Sequence, residues 1–220
     1  MCLVSFVPMD DHILITSNRD ESIQRQEPQP IQIYKHNNHN LTYPKDVAGG
    51  TWISHDDKQN AMVLLNGGFE NHRRQPPYRK SRGLIFLELF SSDNPQEAWS
   101  AIDLDNIDPF TLIHFSNERI LVENVWDGHS KTTTELDSTI RHLWMSTTLY
   151  KRDYFKEIKD TFMSLTNLTE KEVFDFHNNY YYENNTQGFL IPQIRTVSIS
   201  TIQISQTQSS LVSKDLRMMA

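Results

Sequence analysis

One cysteine, Cys2, occurs in 220 residues, so no disulfide can close within the chain. Nothing in the cysteine usage points to an oxidising compartment. No long run of lysine and arginine appears either. The formal net charge is −7 and the isoelectric point is near 5.7. The densest basic stretch runs from His72-Arg73-Arg74 to Arg79-Lys80 and Arg82, and Pro76 and Pro77 interrupt it. An acidic chain with one short basic loop is a poor candidate for nucleic-acid binding, although such a loop can meet an anionic ligand. No apolar stretch approaches the ~20 residues that a membrane span requires. The opening Met1-Cys2-Leu3-Val4-Ser5-Phe6-Val7-Pro8 has no basic flank, and Asp10-Asp11 ends its apolar run early. It does not read as a secretory signal, and a cytoplasmic location is the resulting expectation. Internal repeats and linkers are lacking too, so residues 1–220 are expected to form one domain.

The periodicity that is present predicts an α+β chain. Residues 2–8 and 12–18 are short apolar runs around Met9-Asp10-Asp11 and read as a hairpin. Ile31–Tyr34 reads as a short strand and 36–40 as a polar turn or loop. Gly49-Gly50 predicts a turn or bulge leading into a strand, and Asn60–Asn66 reads as a buried strand. Residues 67–80 form a long polar loop, and loops of that length in compact domains are usually functional or mobile. Ser81–Phe90 has helical spacing, and Asn94-Pro95 starts a second helix. Phe110–Phe115 and Ile120–Trp126 predict another hairpin. Tyr150–Leu165 and Thr169–Tyr181 read as helices, the latter opened by the capping box Thr169-Glu170-Lys171-Glu172. A β-branched strand over 194–204 and a final strand in the tail complete the order. Runs of strands separated by runs of helices imply mainly antiparallel sheets.

Three segments can carry chemistry. With Met1 removed, Cys2 holds a thiol and a free α-amine, and an amine with a pKa of about 7.7–8.0 can serve as base for its own side chain. Free cysteine is also a small buried hydrophobe. Ser17-Asn18-Arg19-Asp20-Glu21 follows the second strand and returns toward Cys2 if that strand is antiparallel to the first. Arg19 would favour thiolate, and Asp20 would orient the α-amine. Adjacent residues of a strand face opposite ways, so Arg19 and Asp20 share one site only if the strand has ended before them. A charged strand end with surface ion pairs is the plainer reading. Asn66, followed by Gly67-Gly68, can donate to an oxyanion or simply open a turn. His36 and His39 stand alone in their loop, so no metal site is expected.

Taken in order, these pieces resemble the NRDE-domain family, the group that includes the transport and Golgi organization proteins. The resemblance lies in Cys2 opening a strand, Ser17-Asn18-Arg19-Asp20-Glu21, Ala48-Gly49-Gly50-Thr51-Trp52-Ile53, Leu64-Leu65-Asn66, Ser81-Arg82-Gly83 and Trp126-Asp127-Gly128. It is good over about residues 1–130 and looser beyond. That family is similar to cysteine N-terminal-nucleophile hydrolases such as conjugated bile salt hydrolase and penicillin V acylase. The resemblance implies an αββα sandwich and hydrolysis of an amide or thioester bond in a small acylated substrate. It implies Cys2 as nucleophile, flanked by Arg19 and Asp20, with Asn66 as oxyanion donor and Arg195 as a late arginine of the site. Asn18, Trp52, Arg82 and Thr147 are the implied substrate-binding residues. In the acylases two residues separate the arginine from the aspartate, whereas here they adjoin. Their second asparagine falls near Ser146-Thr147. No cofactor is implied. A rival implication is a non-catalytic carrier or trafficking factor for a hydrophobic small molecule, a lipid or haem, on the same scaffold.

Overall fold

The computed structural model describes residues 3–150, 152–166, 168–183 and 193–217, without the side chains of 152 and 180–183. Two sheets face each other. The first has five strands: β1 (Leu3–Pro8), β2 (His12–Ser22), β10 (His142–Met145), β11 (Ile194–Ser205) and β12 (Ser209–Asp215), in the order β10-β1-β2-β11-β12. The second has seven: β3 (Ile31–His36), β4 (His39–Pro44), β5 (Ile53–Asp56), β6 (Ala61–Asn66), β7 (Phe110–Phe115), β8 (Leu121–Trp126) and β9 (Lys131–Leu136), in chain order. Neighbouring strands in both sheets pair antiparallel.

Four helices cover the outer faces. Helices α3 (Arg152–Ser164) and α4 (Glu170–Glu183) lie on the five-stranded sheet. Helices α1 (Arg82–Phe90) and α2 (Pro95–Ala101) lie on the seven-stranded one, α1 against β6. The result is the expected αββα sandwich.

Side-chain alternation along β1 and β2 explains the layering. Val4, Phe6, Ile13 and Ile15 enter the core that joins the sheets, where the Phe6 ring lies 5.4 Å from that of Phe115 on β7. Leu3, Val7 and Leu14 enter a second core with Phe162 of α3 and Val173 of α4. In β6 every residue from Ala61 to Leu65 is buried, because one face meets the other sheet and the opposite face meets α1. Helix starts follow their caps. The Ser81 hydroxyl accepts from the backbone N–H of Leu84, and the Asn94 side chain accepts from Gln96 and Glu97. At α4 the Thr169 N–H donates to Glu172 at 2.8 Å and the Glu172 N–H donates back to Thr169 Oγ1 at 3.3 Å.

The structure corrects the sequence reading in three places. Of residues 36–40 only 37 and 38 form the expected turn, and the others are strand residues. They close a β3–β4 hairpin, with Asn37 at a φ of 53° in its turn, and His36 and His39 bind Tyr43 and Asp93 respectively. Strands β9 and β10 went unread. The first is a polar edge strand supported by one neighbour, and the second is only four residues long. Finally, β2 does not stop at residue 18 but runs to Ser22, so Arg19 and Asp20 are strand residues.

A polar seam fixes α4 on the first sheet. Asn18 Nδ2 donates to the His177 carbonyl at 3.1 Å, which turns its Oδ1 toward His177 Nδ1 at 2.5 Å. Nδ1 therefore carries the proton, and Nε2 accepts from the Ser5 hydroxyl at 2.8 Å. The imidazole is fully enclosed, and burial drives its pKa from 6.5 down to about 3; burial likewise lowers His114 to about 4. Both are neutral when folded and bind protons near pH 6.5 when unfolded. Stability is thus level above pH 6.5 and falls as the pH drops below it. We expect a loss of about 2–3 kcal/mol per histidine by about pH 4.5. Urea midpoints measured across that window should fall steeply in the parent chain and less steeply in His177→Gln. A flat parent profile would refute the assignment.

Candidate active site

Arg19 is the only lysine or arginine among the described residues that is buried. It is 3% exposed, lies on the inner face of β2, and stacks 4.5 Å above the Trp52 ring. One terminal nitrogen, Nη2, binds Asp46 Oδ2 at 2.7 Å. The other, Nη1, is buried with no hydrogen-bond partner among the described residues. Burial lowers the Arg19 pKa, against the raising effect of Asp46 and Glu21, but a guanidinium remains charged. Asp46 also holds Arg25 at 2.9 Å. Burial alone would raise the Asp46 carboxyl, yet the Arg25 hydrogen bond, the Ala48 N–H and the two guanidinium charges hold it below the usual range.

Asp20 points to the opposite face of the strand, beside Asn18. It accepts from the Tyr150 hydroxyl and, at 2.5 Å, from Thr196 Oγ1. A bulge in β11 makes the second bond possible. Thr196 pairs with Asp20 while Ser198 pairs with Arg19, so Val197 is the extra residue. Without it, Thr196 would face the other sheet. The two adjacent charged residues thus serve different faces, and the cavity at the end of β2 borders both.

That cavity measures about 730 Å³. Its floor holds Arg19, Asp20, Trp52 and Asn66; one wall holds Arg25 and Asp46, and another holds His72, Arg74, Arg82 and Asp108. Asp108 binds His72 at 2.8 Å, Arg74 at 3.1 Å and Arg82 at 3.2 Å. Burial opposes its ionisation, but the Arg82 charge, hydrogen bonds from His72 and Tyr78, and the Arg74 charge hold its pKa low.

Backbone approaches draw the motif segments to one place. A Cβ on Gly50 would stand 2.5 Å from the Gly83 carbonyl carbon, so the Gly49-Gly50 turn and the start of α1 can touch only as glycines. Gly67, at a φ of 87°, leaves room for Thr147, whose hydroxyl would lie 2.2 Å from an added Cβ.

Of the residues singled out from sequence, Arg19, Asp20, Trp52, Asn66 and Arg82 gather around the cavity. Asn66 contributes from the end of β6, where its carbonyl accepts from Ser146 Oγ at 2.8 Å. Three others do not line it. Asn18 is turned to α4, Arg195 lies opposite Glu21 on β11, and the Thr147 hydroxyl donates to the carbonyls of Gly68 and Glu70, pinning the loop. Cys2 lies outside the described residues; the first described residue, Leu3, pairs with Asn18 and Met145. Asp46, Asp108, Tyr150 and Thr196 escaped the sequence reading, since each acquires its role only through partners far along the chain.

The family model of Transport and Golgi organisation 2 matches residues 1–212. The chain belongs to that family. No curated protein matches the sequence. Among solved structures the fold is similar to conjugated bile acid hydrolase from Clostridium perfringens, as its C2A mutant, at 10% identity and a TM-score of 0.55, covering 99% of this chain and 93% of that one. It is also similar to penicillin V acylase from Agrobacterium tumefaciens, at 8% identity and a TM-score of 0.53, covering 98% and 86%. This family member therefore shares the architecture of N-terminal-nucleophile hydrolases.

Two stability measurements probe the site. Asp46→Asn strands the buried Arg19 charge and should cost about 3 kcal/mol in chemical denaturation, with Arg19→Met recovering much of it in the double variant. If Asp46→Asn unfolds at the parent midpoint, the pair does not anchor the site. Gly50→Ala should lose about 1–3 kcal/mol through the clash with Gly83, and an unchanged midpoint would contradict that contact.

Proposed function

We propose that this chain is a cysteine N-terminal-nucleophile hydrolase that cleaves an amide or thioester bond of a small acylated substrate. The observation that carries the reading is the unpaired, buried Arg19 Nη1 at the floor of a cavity that Asp20 and Asn66 also line. An N–H left without a partner inside a protein is costly, and a nearby thiolate or substrate oxygen would satisfy it. The run Asn18-Arg19-Asp20-Glu21 is the motif from which the NRDE name derives, and Cys2 directly precedes the strand that pairs with it. The similar bile acid hydrolase was solved as a C2A mutant, which supports giving Cys2 the central part.

In this mechanism Met1 is removed and the Cys2 α-amine takes the thiol proton. The thiolate attacks the carbonyl carbon, and the carbonyl π electrons move onto oxygen. The Asn66 carboxamide donates to the resulting oxyanion. As the oxyanion collapses, the C–N bond breaks and the ammonium of Cys2 gives its proton to the leaving amine. A water, deprotonated by the same amine, then attacks the thioester carbon, releasing the acid and restoring the thiol. Asp20, held by Tyr150 and Thr196, orients the amine, and the Arg19 guanidinium favours thiolate. Trp52 and Arg82 bind substrate. Asn18, Thr147 and Arg195 act at one remove, through α4, the 67–70 loop and the β11 edge.

The rival role as carrier of a lipid or haem fits the lining less well. Charged side chains stand on both walls, and the apolar ones are few, chiefly Trp52, Leu64, Leu149 and Ile194. Intact-mass analysis after exposure to an electrophilic acyl probe separates the two. Hydrolysis predicts loss of Met1 and one acyl adduct on Cys2. Cys2→Ala should abolish the adduct and reduce turnover of the matching amide by roughly 10³ or more. A retained Met1 together with full activity in Cys2→Ala would end this reading.

A further inference from the structure

The wall of the cavity built by the 72–82 segment has a charge pattern that holding Asp108 does not explain. Asp108 is buried, with its side chain 4% exposed, and a buried carboxylate needs a partner. One guanidinium would suffice, yet His72, Arg74 and Arg82 all converge on it. Arg74 and Arg82 bring two positive charges against one negative. Across the cavity, Arg19 and Arg25 face Asp46 and Glu21, and the Asp20 carboxylate lies on the same side. Among the described residues, the cations thus gather on the Asp108 wall.

The segment is also held in place. Arg79 donates to the Asp103 and Asp105 carbonyls, and Lys80 pairs with Glu88. The Tyr78 hydroxyl accepts from the Gln75 N–H at 2.7 Å. Arg74 reaches Asp108 through Nε, and its guanidinium carbon lies 5.7 Å from the Tyr78 ring centre. That grip engages one edge of the guanidinium and leaves the side chain two-thirds exposed, so its terminal nitrogens remain available for an anion. A fixed planar fork beside a second guanidinium matches the geometry of a carboxylate or a phosphate.

We propose that Arg74 and Arg82, gathered on Asp108, form an oxyanion subsite that binds the anionic end of the ligand while the remainder reaches toward Arg19 and Asn66. The subsite shares the cavity of the hydrolase reading and defines its substrate as acidic at the end distant from the scissile bond. Neither a retained Met1 nor an inert Cys2 would alter anion binding, so the two readings fail separately.

The test is titration of the full chain with inorganic phosphate and, separately, acetate at constant ionic strength, followed by the arginine Nε–H resonances in NMR spectra. The Arg74 resonance should shift saturably with at least one anion in the millimolar range, and the better anion tells phosphate from carboxylate recognition. Arg74→Gln should weaken that binding about fivefold or more. Arg73→Gln, which alters an exposed neighbour outside the cavity, should leave it unchanged. The proposal is overturned if neither anion saturates the site, if Arg74→Gln binds as the parent does, or if Arg73→Gln weakens binding as much as Arg74→Gln.

Discussion

A full positive charge placed where water does not reach must be matched, and in this protein that charge is Arg19. Its burial against Trp52 is tolerable because Asp46 meets one end of the guanidinium. Asp46 comes from the stretch between β4 and the Gly49-Gly50 turn, and it accepts the N–H groups of Ala48 and Gly49 in that turn. The ion pair therefore ties the end of β2 in one sheet to the entrance of β5 in the other. Removing Asp46 would leave an uncompensated charge between the sheets, which costs far more than a surface pair contributes, whereas Asp46 without Arg19 would still be held by Arg25.

Around this tie, polar groups occupy places that a sandwich core would otherwise fill with apolar side chains. From Thr16 to Asp20 strand β2 is entirely polar yet buried. Even-numbered positions satisfy the helix layer, through Thr201, His177 and the Tyr150–Thr196 pair. Ser17 and Arg19 face the other sheet. A strand that buries five polar residues in succession does not maximise stability. Networks of this kind persist when every member is matched or when function needs an unmatched one. Ser17 Oγ and Arg19 Nη1 are unmatched among the described residues, and Arg19 borders the cavity.

Close backbone contacts set the cavity's shape. Gly50 against Gly83 brings the floor up to the first turn of α1, and Gly67 against Thr147 draws the long loop toward β10. Because α1 begins there, Arg82 at its first position is carried to the Asp108 wall. Segments separated by tens of residues thus meet through glycines whose importance lies in what they lack.

By itself the sequence determined most of the strand and helix order, since alternation, capping residues and the Asn-Pro and Gly-Gly punctuation are local signals. It also marked Arg19, Asp20, Trp52, Asn66 and Arg82, because their motifs are short and contiguous. It could not reveal β9, whose residues are mostly polar, or β10, which is only four residues long; each forms because a neighbouring strand offers hydrogen bonds. Nor could it show that β2 continues through Arg19 and Asp20, that a bulge at Val197 turns Thr196 toward Asp20, or that Asp46 and Asp108 gather the cations. Those facts depend on pairings across up to 176 positions of chain. Only tertiary structure decides them, because a side chain's partner and burial are properties of the neighbours that folding brings to it.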